Sequence, residues 1–200
     1  MHEREKNAWI DVYDFDGTLF YGDSTVHFWL YCLRKKPALA RFLPAQLWAV
    51  TLTALRVWRW QRAKGLFLCF FRGIDATDMA RRFWDDPRTQ KRLMPWFQPQ
   101  HSELPVVIAS ASPEVTLAPI AARYGAALLV GTQVDASTGA LLGPNCRGQE
   151  KINRLQAALP GFRVRAMYTD SVRADGPLLR LAQQRYLVRG RQVKRLWKNL

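Results

Sequence analysis

From residue 104 onward the chain alternates two kinds of segment, and this alternation constrains its fold more than any other feature. LPVVIASAS (104–112), AALLVGTQV (126–134), VRAMYTD (164–170) and RYLVRG (185–190) are short apolar runs rich in branched residues, as strands are. Between them lie PEVTLAPIAARYG (113–125), GQEKINRLQAAL (148–159) and PLLRLAQQ (177–184), which read as helices; Pro and Glu open the first and Gly125 closes it. AWIDVYDF (8–15) supplies one more strand near the start. Strands alternating with helices imply an α/β fold, a mostly parallel sheet with helices on both faces. GTQVDASTGALLG (131–143) reads as a small hairpin near one edge.

Residues 21–98 differ in kind. They show almost no strand pattern, hold six of the eight Trp residues, and carry 14 Lys or Arg against 5 acidic residues. A helical insertion between the first strand and the second is expected, so the chain divides into a core of 1–20 with 99–200 and an inserted helical unit of 21–98. The most apolar part of the insertion, FLPAQLWAVTLTAL (42–55), is uncharged over 14 residues between Arg41 and Arg56. That is short of the roughly 20 residues a spanning helix needs, so a buried or interfacial helix is expected instead.

The first strand ends on DFDGT, with Asp14 and Asp16 two positions apart. Positions i and i+2 of an extended chain share a side, so both carboxylates would face one ligand, one attacking or binding metal while the other carries a proton. Ligands of open α/β sheets bind outside the carboxyl ends of the strands, where Asp14, Ser110 and Asp170 all fall. Each position also has a plain reading. Asp-x-Asp-Gly occurs in turns and calcium loops. Ser110 and Ser112 would cap a helix beginning at Pro113, and Asp23 the first inserted helix. Lys151 would be a solvated charge, and Asp170 and Asp175 ordinary loop residues. Their shared placement at strand ends favours a site.

In that order these residues resemble the motifs of the haloacid dehalogenase superfamily of phosphohydrolases. DFDGT (14–18) is similar to its first motif, VVIASAS reaching Ser110 to its second, Lys151 in GQEK to its third, and YTDSVRAD with Asp170 and Asp175 to its fourth. The fourth motif spaces its acids by five and lacks a Gly before the first. A helical insertion after the first motif resembles the cap of the phosphoserine-phosphatase-like branch. SASPE, GQEK and YTDS followed by DGPLL resemble the bacterial phosphatidylglycerophosphatase C type. The resemblance implies a Rossmann-like core, a Mg²⁺ cofactor and a phosphomonoester substrate. It makes Asp14 the nucleophile and a metal ligand, forming an aspartyl-phosphate. Asp16 would give its backbone carbonyl to Mg²⁺ and its side chain as general acid and base. Asp170 would complete the protein ligands, and Asp175 would bind metal-bound water or orient Lys151. Ser110, the amide after it and Lys151 would hold the phosphoryl oxygens, and Thr18 would support the loop by hydrogen bonding.

Charge bears on the substrate. The chain has 30 Lys plus Arg against 16 Asp plus Glu, a net +14 that attracts polyanions. VRGRQVKRLWKNL (188–200) has five basic residues, no acid, and Val193, Leu196, Trp197 and Leu200 at helical spacing, the pattern of a basic amphipathic helix on an anionic membrane. The alternative is a helix packed on its own core. With the apolar insertion, this favours an amphiphilic or lipid phosphate such as phosphatidylglycerophosphate, met at the inner face of the cytoplasmic membrane. A soluble phosphatase of small metabolites is the alternative, and a basic nucleic-acid binder with a vestigial site a third; no nucleic-acid motif is present. Cys32, Cys69 and Cys146 have no paired spacing, which fits a reducing cytoplasm rather than a disulfide framework. The charged MHEREKNAW leaves no room for a signal peptide before the first strand.

Overall fold

The computed structural model describes residues 8–55, 60–99 and 102–197, with backbone alone at 60–62. Its sheet has six strands: β1 (Trp9–Tyr13), β2 (Val106–Pro113), β3 (Leu128–Thr132), β4 (Arg163–Thr169), β5 (Ala182–Arg189) and β6 (Gln192–Arg195). They lie in the order β3-β2-β1-β4-β5-β6. All neighbours are parallel except β5 and β6. The first strand in sequence therefore sits inside the sheet, with Asp11 opposite Val106 on one side and Ala166 on the other.

Strand alternation sorts the core into two layers. Ile10, Val12, Val107 and Ala109 point to the face covered by α7 (Gln149–Ala158) and α8 (Val172–Leu181), packing with Leu155, Leu178 and Leu179. Tyr13, Val106 and Ile108 point to the other face, toward α6 (Glu114–Arg123) and the insertion. The expected α/β architecture, a mostly parallel Rossmann-like sheet with helices on both faces and a helical insertion, is what the chain forms. The expected hairpin is present as well, closed by a Val134–Leu141 bridge and by Asp135 N donating to Ala140 O at 2.8 Å.

The insertion comprises α1 (Ser24–Lys35), α2 (Leu43–Ala54), α3 (Trp60–Phe67), α4 (Ala76–Asp85) and the single turn α5 (Pro87–Gln90), joined by 3₁₀ segments at Pro37–Phe42 and Leu68–Gly73. Asp23 caps α1, accepting from Val26 N at 3.0 Å. The insertion shares its apolar core with the sheet: Phe28, Phe70, Phe83 and Trp84 belong to the cluster that holds Tyr13 and Ile108. Trp84 Nε1 fastens α4 to α6 by donating to Thr116 O at 2.6 Å.

Two segments depart from what the sequence suggests. On α2 the polarity is turned outward: Leu47, Trp48 and Leu55 at its end are 65%, 59% and 66% exposed, while Gln46 is buried. Gln46 accepts from Trp29 Nε1 at 3.1 Å and donates to Phe67 O at 2.9 Å, so its amide is spent inside the insertion. At the C-terminus the expected amphipathic helix is overturned, because residues 192–195 form strand β6. Gly190 takes φ +55 and turns the chain back, placing Val193 opposite Val188 along β5. A free sheet edge offers backbone partners to every second residue, and these outweigh the helical spacing of Val193, Leu196 and Trp197. Leu200, the last residue of that pattern, lies outside the described residues. No helix among the described residues is long and apolar enough to cross a membrane. All three cysteines are buried free thiols.

Candidate active site

Parallel strands deliver their carboxyl ends to one rim of the sheet. Where β1 ends, Asp14 N donates to Tyr168 O of β4 at 2.9 Å, and the chain then folds tightly on itself. Phe15 O accepts from the amides of Leu19 and Phe20 at 2.8 and 3.0 Å, while Gly17 N donates to Phe20 O at 2.8 Å. The loop needs φ +71 at Gly17, a left-handed value that glycine adopts without strain. Glycine is required there for space as well. A Cβ at this position would meet Asp170 Oδ2 and lie 2.7 Å from Asp170 Cγ, so the carboxylate of the β4 end rests directly on the loop between Asp16 and Thr18.

Lys151 ties three elements together. Its Nζ lies 2.8 Å from Asp14 Oδ1 and 2.6 Å from Asp175 Oδ1, and the side chain is only 2% exposed. Asp175 Oδ2 in turn accepts from Thr169 Oγ1 at 2.7 Å. Lys151 is therefore not a solvated helix charge. Burial alone would lower its pKa, but Asp14 and Asp175 outweigh burial and hold it above its ordinary value. Burial pushes the Asp14 carboxyl up to about 7, with Asp175 and Asp16 adding to the rise and Lys151 opposing it. Asp170 is also raised, by burial first and by Asp175 second.

Asp16 is gripped through both oxygens. Ser24 N donates to Oδ1 at 2.6 Å and Ser112 Oγ to Oδ2 at 2.5 Å. Burial raises its pKa and Asp23 adds to this, while the hydrogen bonds from Ser112 and Ser24 pull the other way. Ser112 thus binds the loop rather than capping a helix; α6 starts at Glu114, and no side chain caps it. Ser110 lies one layer deeper, fully buried, its hydroxyl accepting from Ser112 N at 3.0 Å. Ala111 and Ser112 form the cavity wall at this strand end. Thr18 is bonded into the loop through its backbone. Its amide donates to Phe15 O at 3.2 Å, but its buried hydroxyl has no hydrogen-bond partner among the described residues, so it supports the loop through backbone and packing.

These groups open on a cavity of about 470 Å³. Its wall holds Asp14, Asp16, Asp170, Asp175 and Lys151, and also Lys64 and Arg147, which the sequence does not single out. Lys64 reaches in from α3 and is buried. Its Nζ donates to Asn145 Oδ1 at 2.7 Å, to Thr132 Oγ1 at 3.2 Å and closely to Ala111 O. Burial lowers its pKa to about 8, with Asp16 and Asp23 opposing. No local pattern separates Lys64 from the other basic residues of the insertion.

The donor set fits a hard divalent cation. Counting Asp23, five carboxylates line the cavity against three basic side chains, so an anionic substrate meets surplus negative charge unless a cation joins it. No cluster of three or more His, Cys, Asp or Glu side chains among the described residues would hold a metal unaided. Asp14, Asp170 and a main-chain carbonyl of the 14–18 loop would leave positions for water, as Mg²⁺ prefers.

Comparison with known proteins bears on the family and the fold. The profile of the haloacid dehalogenase-like hydrolase family matches residues 12–180. Protein CicA of Caulobacter vibrioides (strain NA1000 / CB15N) is 31% identical over 190 residues, 87% of this chain and 83% of its own. A crystal structure of a protein of unknown function from Bordetella pertussis Tohama I is similar at TM-score 0.67 and 20% identity, over 86% of each chain. The unliganded probable phosphoserine phosphatase of Vibrio cholerae is similar at TM-score 0.63 and 14% identity, over 90% of this chain and 55% of that one. At these identities the two structures share the fold.

Proposed function

This chain belongs to the haloacid dehalogenase-like hydrolase family, and we propose from that premise that it is a Mg²⁺-dependent phosphomonoester hydrolase working through an aspartyl-phosphate on Asp14. The observation that carries the reading is Lys151 Nζ between Asp14 and Asp175 on the wall that Asp16 and Asp170 also line. A buried lysine so paired orients Asp14 and pulls it toward its ionised form in a site whose burial favours the neutral one. Asp14 attacks phosphorus, Asp16 gives its proton to the departing alkoxide, and Asp16 then takes a proton from the water that cleaves the acyl phosphate. Lys151 and the backbone after Ser110 hold phosphoryl oxygens, and Asp175 orients Lys151. Mg²⁺ held by Asp14, Asp170 and the Asp16 carbonyl would supply the positive charge that lets two anions meet.

The insertion acts as the cap that selects the substrate. Its outward apolar face on α2 supports an amphiphilic phosphate such as phosphatidylglycerophosphate, because Val50 belongs both to that face and to the cavity wall. An acyl chain leaving the cavity past Val50 would run onto Leu47, one turn away, rather than into water. A panel of soluble and lipid phosphomonoesters assayed with Mg²⁺ tests this. The lipid ester should have the higher kcat/KM, and Asp14→Asn should abolish turnover of every ester while leaving the fold intact. Preference for phosphoserine or a sugar phosphate would replace the lipid reading with a soluble one. Full activity of the Asn variant would overturn the mechanism.

A further inference from the structure

Asp16 owes its position to groups outside its own loop. The Ser24 amide, at the start of α1, holds Oδ1, and Ser112, at the end of β2, holds Oδ2. Ser112 is itself buried and held by the insertion: Thr25 Oγ1 lies 2.9 Å from its hydroxyl and Ser24 Oγ donates to it at 3.2 Å. A serine hydroxyl has one proton and two lone pairs. With the proton given to Asp16, the lone pairs are filled by Ser24 and Thr25, so the Thr25 hydroxyl donates. Lys64 steadies the same strand end from α3 by donating to Ala111 O next door. The seat of one carboxylate is thus built half by the sheet and half by the inserted helices.

We propose that Ser112 is a positioning residue for Asp16, aimed by Thr25 of the insertion, so that docking of α1 on the sheet sets the geometry of proton transfer to the leaving group. This rests on the phosphatase reading above, in which Asp16 is the proton donor. A carboxyl fixed at both oxygens cannot swing away from the ester oxygen, and freeing one oxygen costs most where the leaving group needs its proton. Ser112 makes or breaks no bond to substrate; Thr25 acts only through Ser112.

The dependence of kcat/KM on the leaving group distinguishes this from a merely structural role. In the full-length chain with Mg²⁺, Ser112→Ala should lower kcat/KM roughly 100-fold on an alkyl phosphate, whose alkoxide must be protonated to leave, and less than about 5-fold on p-nitrophenyl phosphate. Ser112→Thr, which restores a hydroxyl, should recover most of the alkyl activity. Thr25→Val should show the same asymmetry at about 3- to 10-fold, and it carries the test if Ser112→Ala does not fold. Equal losses on both esters, or none, in an active parent would overturn the positioning role alone. A parent inactive on both esters would instead overturn the phosphatase reading, and this inference with it.

Discussion

Gly17 decides how near Asp170 comes to the loop bearing Asp14 and Asp16. Its positive φ and the pressure of the Asp170 carboxylate against its Cα act together, so Gly17→Ala meets both strain and collision. The backbone term costs about 1–2 kcal/mol, which a domain of this size withstands, whereas displacing a carboxylate by even 1 Å can cost roughly 100-fold in rate. The Ala variant should therefore melt cooperatively a few degrees below the parent yet lose about 100-fold in activity; parent-like activity would show that Asp170 is dispensable. At this scale the sequence is most legible where chemistry and strand ends coincide, as for Asp14, Asp16 and Asp170. It is least legible where burial alone confers a role. Ser112 reads as a cap because Ser before Pro-Glu is a capping pattern, and only the long-range approach of Asp16, 96 positions away, redirects its hydroxyl. Lys64 is one of 14 basic residues in the insertion, and nothing local marks it as the one that is buried at the cavity.

Among the elements, α3 carries a contact sensitive to pH. The Lys64 ammonium is buried against neutral oxygens of β2, β3 and the loop at Asn145, and its pKa falls from 10.5 to about 8. Between those two values the unfolded chain binds more protons at this group than the folded chain does, so the contribution of Lys64 to stability rises with pH across that window. Lys64→Met keeps the volume but strips hydrogen bonds from Ala111 O and Asn145 Oδ1, at about 1–3 kcal/mol near neutrality. The stability gap between parent and Met variant should widen from pH 8 to pH 10 in chemical denaturation; a constant or shrinking gap would contradict a depressed lysine. Strand and helix alternation was readable for β1 to β4 because each run has one dominant period, while Ala182–Gln184, read as the end of a helix, open β5. The β6 segment fits two periods, and the unpaired edge of β5 makes the choice. The polarity of α2 was unreadable for a related reason: an apolar helix with a single glutamine gives no sign of which side faces in until Trp29 and Phe67 O claim the amide.

For the whole molecule, the +14 charge and the outward face of α2 suggest a common surface. Anionic vesicles should pellet the protein at low ionic strength and neutral vesicles should not, since the long-range attraction is electrostatic and screened within about 10 Å at 0.1 M salt. Replacing Leu47 and Trp48 by Ser should weaken vesicle binding roughly tenfold or more if both side chains enter the acyl region; binding unaffected by that change would leave α2 without a membrane role. The strand order of the sheet has a consequence in time. β1 precedes the other described strands in the sequence, yet its partners are β2, opened by Val106, and β4, opened by Arg163. Long loops must close before such pairings form. A growing chain consequently leaves β1 without one neighbour until β4 is made, and chains truncated before β4 should leave residues 9–13 open to protease. Asp14 and Asp16 precede Lys151 and Asp170, which complete their surroundings, by more than 130 positions. The site thus comes together only after β4 has been made.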